Sequence, residues 1–205
     1  MNTEFDYISD NFLNRARLGL LALNRVSEGE LLSMEPFSTP LYELLYIATV
    51  TGVEEYLYHR LAKEVFENED SIQIYVDVYN NKFRKKRPKQ HILYSAPFSA
   101  EAIEYINKTL CEYQTYHNLD IIATYLQELS GFNPDECPSW HKLKPIIKIR
   151  HSIVHHGARY NDGERVSIKP YDVTLAFELA ESFISEVEEA FVRMRKSPLI
   201  IDPRE

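Results

Sequence analysis

Apolar residues recur at spacings of three and four along most of this chain, the period of an amphipathic helix. Phe5, Ile8, Phe12, Ala16, Leu20 and Leu23 form one such stripe, which Gly29 and the loop to Pro40 bring to an end. A second, long helix is predicted from Thr39, whose hydroxyl can cap it with Pro40 at the first helical position. It runs through Leu44, Leu45, Ala48, Leu57, Leu61 and Val65. The segment Ser71-Ile72-Gln73-Ile74-Tyr75-Val76 is β-branched and alternating, and fits either a short strand or a prolonged helix. Helical spacing resumes after Ser99, the expected cap of a helix over 100–116, and after Asn118, the expected cap of one over 119–129 closed by Gly131. Pro134 and Pro138 mark a loop. The next helix carries Trp140, Leu143, Ile147 and Val154, is kinked or begun by Pro145, and stops at Gly157. Asn161-Asp162-Gly163 is a turn signal, and Val166-Ser167-Ile168 reads as a short return strand. Asp172 is the expected cap of the last helix, with Ala176, Leu179, Ala180, Phe183, Val187, Ala190, Phe191 and Met194 inward.

These elements sum to an all-α bundle with small irregular or β-hairpin insertions. With 205 residues the chain suits one well-buried core, so a single domain over 1–205 is expected, with 71–98 as an insertion and 198–205 as a tail. No apolar run approaches the roughly 20 residues that span a bilayer, and the acidic N-terminus lacks a signal-peptide pattern, so no membrane partner and a cytoplasmic location are expected. Cys111 and Cys137 are isolated, which favours buried free thiols over a disulfide framework or a zinc ribbon.

The net charge of −8 hides an uneven distribution. Lys82, Arg84, Lys85, Lys86, Arg87 and Lys89 fall within eight residues that hold no acid, and residues 131–170 carry a net charge of +3. A local basic patch can attract a polyanion because screening limits remote charge to about 10 Å. The run over 82–89 is therefore either an RNA-binding loop or a solvated loop without a partner.

The densest chemistry lies in Arg150-His151-Ser152-Ile153-Val154-His155-His156-Gly157, which gathers an arginine and three histidines at a helix end. An imidazole exchanges protons near neutral pH, and a guanidinium keeps its charge. At about 100° per residue, Arg150 and His155 lie about 140° apart on a helix, whereas His151 and His155 share a face. The histidine pair has a spacing that suits two metal ligands, but Ser152 stands where a zinc protease needs glutamate, and no third ligand is evident nearby. A purely structural role, as cations at a helix C-terminus, is the plainer alternative. In the second helix Glu54 shares a face with Val50, Leu57, Leu61 and Val65. An acid in an apolar stripe needs a partner, for which an arginine is the natural choice, unless it flanks the stripe and reaches water.

The arginine, four intervening residues and histidine over 150–155 resemble the signature of HEPN domains, which are four- to five-helix bundles. Glu54-Glu55-Tyr56-Leu57 resembles the acidic position that many of these domains set on a facing helix. The resemblance implies a metal-independent endoribonuclease that needs no cofactor and acts as a toxin or antiviral-defence effector. Its catalytic residues would be Arg150, His155, His151 and Glu54, with Arg159 and the basic run on the RNA. It also implies a homodimer whose two motifs share a cleft, and an antitoxin or other defence-system partner. The alternative within the same resemblance is a non-catalytic module that binds a nucleotide or a protein. Gly157 occupies the place of the tyrosine that is modified in one branch of the family, and His151 stands where asparagine or aspartate is frequent.

Overall fold

A computed structural model describes residues 18, 21, 35–83, 99–108, 110, 118–160 and 162–196. The described residues form six helices: α1 (Glu35–Glu67), α2 (Glu69–Phe83), α3 (Ala100–Lys108), α4 (Leu119–Ser130), α5 (Pro138–His155) and α6 (Pro170–Lys196). The fold is all-α, and none of these helices is long and apolar enough to cross a membrane. The basic residues from Arg84 to Lys89, Cys111 and nearly all of the first predicted helix lie outside the described residues, as do the side chains of Lys82 and Phe83.

Several boundaries differ from the sequence expectation. α1 begins at Glu35 rather than Thr39, so Pro40 lies inside it. The first four amides of a helix have no partner in any case, so a proline just past the first turn sacrifices about one backbone bond. Leu44 and Ala48 face outward, while Tyr46, Val50, Val53, Tyr56 and Leu57 are buried. The ambiguous segment over 71–76 is helical, within α2. The predicted return strand over 166–168 is absent. An isolated antiparallel bridge joins Arg159 to Arg165, and the Val166 amide donates to the Ala158 carbonyl at 2.8 Å. Asp172 is not the cap of α6 but its third residue, and its carboxylate reaches back to the Lys169 amide at 2.8 Å. Pro170, with its φ preset for a helix, takes the first position instead. Met194 points outward, unlike the seven residues expected to be buried beside it.

Other expectations hold. Ser99 Oγ accepts the Ala102 amide at 3.2 Å, capping α3. Gly131 closes α4 in the left-handed conformation at φ 66°, its amide donating to Gln127 O. Cys137 is buried outside any disulfide, with its Sγ 3.3 Å from Ser139 Oγ.

The chain divides into two compact units. The first takes the described residues up to Leu57 together with Cys137–Ile184. The second takes Tyr58–Glu136 and the residues from Ser185 onward. In the first, Trp140 packs on Phe183 with ring centroids 5.7 Å apart, among buried Leu143, Ile147, Phe177 and Ala180. The Tyr46 hydroxyl donates to the Ile146 carbonyl at 3.3 Å, tying α1 to α5. Burial raises this phenol well above its ordinary value, and Asp172 and Tyr160 push the same way, so Tyr46 remains a neutral donor. In the second unit, Tyr75 stacks on Tyr125 at 5.0 Å. There the buried Arg60 guanidinium is compensated by Glu64 at 3.0 Å, Glu188 at 3.4 Å and the Phe191 ring at 3.4 Å.

Candidate functional site

The sequence-predicted motif lies on α5, wholly within the first unit. Cys137 in extended conformation and Pro138 at the first turn start the helix. Its apolar side is set by Trp140, Leu143, Ile146, Ile147 and Ile153, all buried. With about 100° between successive residues, Arg150 falls in the middle of that buried arc, near Leu143. A guanidinium placed there requires a counter-charge.

Glu54 supplies it. Arg150 Nη2 donates to Glu54 Oε2 at 3.3 Å, and each side chain retains 15% of its exposure. Glu54 lies on α1 between buried Val50, Val53 and Leu57, whereas its neighbour Glu55 is exposed. The acid in the apolar stripe thus meets the arginine in the apolar arc. The pairing is single rather than bidentate. Glu54 Oε1 and Arg150 Nε are both buried with no hydrogen-bond partner in the protein.

The histidines form a separate group on the outside. His151, His155 and His156 are all exposed. The His151 ring lies 4.5 Å from that of His155 and 5.4 Å from that of His156, centroid to centroid. Arg150 and His155 therefore stand on different sides of the helix, one inward against Glu54 and the other outward. Among the described residues, no three His, Cys, Asp or Glu side chains are arranged to hold a metal ion.

The chain leaves α5 through a strained turn. His156 caps the helix, and Gly157 and Ala158 follow at φ 59° and 58°. The Ala158 amide donates back to Ile153 O at 3.3 Å, the closing bond of a Schellman turn. Left-handed backbone costs a side-chain-bearing residue about 1 kcal/mol, and Ala158 is held there by its bonds to Ile153 and Val166. Nothing lies within 4 Å of a Cβ built on Gly157. Gly157→Ala should therefore lower stability by only the backbone cost, about 1 kcal/mol in urea unfolding; a loss several times larger would mean that this turn is packed by something else.

Arg159 continues the chain outward. It is exposed, and its Nη1 donates to Gly163 O at 2.8 Å across the turn closed by Gly163 at φ 87°. Of the sequence-predicted site residues, the structure brings Glu54 to Arg150 and His151 to His155, and sets Arg159 just beyond them along the chain. No family model, no curated protein and no solved structure matches this chain.

Proposed function

We propose that this protein is a metal-independent endoribonuclease of HEPN type, serving as a toxin or antiviral-defence effector. The observation that carries the reading is the exposed pair of imidazoles, His151 and His155, in ring contact at the end of a helix that contains no acidic residue. RNA cleavage needs a base for the ribose 2′-hydroxyl and an acid for the departing 5′-oxygen. His155 takes the 2′ proton, the 2′-oxygen bonds to phosphorus, the bond from phosphorus to the 5′-oxygen breaks, and His151 protonates the leaving oxygen. The products are a 2′,3′-cyclic phosphate and a 5′-hydroxyl. Arg150 stabilises charge on the phosphorane-like transition state, and Glu54 holds its rotamer.

A symmetric homodimer suits this chemistry, because a second copy can bring an arginine towards His151 and His155, which lie about 100° and about 140° from Arg150 on their own helix. Exposed Val154 and Tyr160 flank the motif and offer apolar surface for that contact. The second reading, a non-catalytic module that binds a nucleotide or a protein, is favoured by one observation: Glu54 already compensates the charge of Arg150.

The test is to incubate the purified protein with total RNA in excess EDTA and to map new ends. New 5′-hydroxyl ends with matching cyclic phosphates are expected. Intact RNA at stoichiometric protein, or cleavage that appears only with a divalent cation, would reject the ribonuclease reading.

A further inference from the structure

The outward side of α5 carries a feature that the motif alone does not define. His141, Lys144, Lys148, His151 and His155 are spaced by three or four residues, and helical geometry places all five within an arc of about 80°. The stripe is about 21 Å long at 1.5 Å per residue. His141, Lys148, His151 and His155 are exposed, and Lys144 is half-buried with its Nζ 5.6 Å from the Trp140 ring centroid. α5 has no Asp or Glu anywhere along it, in a chain of net charge −8. Arg150, the one arginine of the helix, is turned inward to Glu54.

A second observation lies a few residues on. Arg159 and Arg165, both exposed, stand directly opposite each other in the antiparallel bridge. Like charges at such a position repel unless an anion lies between them. Arg159 follows His155 by four residues, so its Cα lies no more than about 14 Å from that of His155.

We infer that the outward face of α5, continued by the Arg159–Arg165 pair, is the binding track for single-stranded RNA, with the histidines partway along it. A lone phosphate would need a pocket, whereas a line of cations on one exposed face fits a chain of phosphates. Lys144 and Lys148 neutralise phosphates on one side of the scissile position, and the arginine pair neutralises them on the other. This track rests on the ribonuclease reading for its choice of RNA, but its charge geometry stands without it. Affinity for RNA then comes from the motif helix itself, whether or not the basic run over 82–89 contributes.

The test uses the intact protein and a fluorescein-labelled 2′-O-methyl oligouridylate, which lacks the attacking hydroxyl and reports binding only. Anisotropy titrations over a range of salt give the slope of log K against log salt. Lys144→Gln/Lys148→Gln should reduce that slope by about 1.4, at roughly 0.7 per lost phosphate contact, and Arg159→Gln/Arg165→Gln should reduce it comparably. Lys63→Gln/Lys108→Gln removes the same charge from the second unit and should leave the slope unchanged. Melting curves confirm that each variant is folded, and the single substitutions replace any double that is not. An unchanged slope in both track variants, or an equal fall in the control, overturns the inference. Displacement of the oligonucleotide by polyglutamate at equal charge also overturns it, in favour of an acidic protein partner. If the slopes fall as expected while unmodified RNA stays uncut, the track stands and the ribonuclease reading falls; if RNA is cut and the slopes do not respond, the reverse holds.

Discussion

His155→Ala is expected to reduce RNA cleavage in EDTA by about 10²–10⁴-fold, the range over which a positioned acid or base contributes. The melting temperature should barely change. His155 is exposed, and its ring contacts that of His151, also exposed. Substitutions at such positions usually fall within about 0.5 kcal/mol. An imidazole near a helix C-terminus adds a favourable dipole interaction, but alanine is the better helix former, so the two effects oppose each other. His151→Ala should be similarly damaging, because it removes the partner acid. His156 lies edge-on to His151 at 5.4 Å, farther than His155 at 4.5 Å, and caps the helix through its backbone amide, so His156→Ala should keep most of the activity. The measurement is the initial cleavage rate of a defined oligoribonucleotide for each variant, beside its melting curve. Full activity in His155→Ala, or loss in His156→Ala alone, would move the chemistry off the proposed pair.

Some of this architecture was legible in the chain and some was not, for identifiable reasons. The Glu54–Arg150 pairing could be anticipated because an acid inside an apolar stripe has few stable options, and position follows directly from helical period. The stop at Gly157 was legible because a glycine after a periodic run favours the left-handed closing residue. Caps were harder. Thr39-Pro40 and Asp172 both carry the right chemistry for a helix start, yet α1 extends past the first, and Pro170 takes the first position ahead of the second. The segment over 71–76 has strand-forming residues, but Ile72, Tyr75, Val76 and Tyr79 also fit one face of a helix, and packing of Tyr75 against Tyr125 accompanies the helical outcome. Lys144 and Lys148 are legible only through helical spacing, which sets them on one face with His151 and His155. These lysines are not adjacent in sequence, so the stripe shows only when helical period is combined with the lack of any acid on α5.

Glu54→Gln should destabilise the first unit by about 3 kcal/mol and reduce cleavage with it, whereas Glu55→Gln should do neither. The two positions are adjacent in sequence but about 100° apart around α1. Glu54 is paired with Arg150 at 3.3 Å with 15% of each side chain exposed, whereas Glu55 is exposed. Removing one member of a buried pair strands the other charge, and the usual cost is about 3–5 kcal/mol; residual exposure and a single hydrogen bond place this pair at the low end. Glutamine keeps the shape and one acceptor but not the charge, so it isolates the electrostatic part. Replacing both members with apolar residues, Glu54→Leu/Arg150→Met, should recover most of the stability, because no charge is then left buried. That double variant separates the two roles of Arg150. If it is stable and inactive, the guanidinium acts on the phosphate and Glu54 is its positioning residue. If it is stable and cleaves RNA like wild type, Arg150 only anchors α5 to α1, and the histidine face performs the reaction alone. Urea unfolding of all three variants, with cleavage rates measured on the folded protein, gives both answers. Wild-type stability in Glu54→Gln would show that the carboxylate is solvated and the pair unimportant.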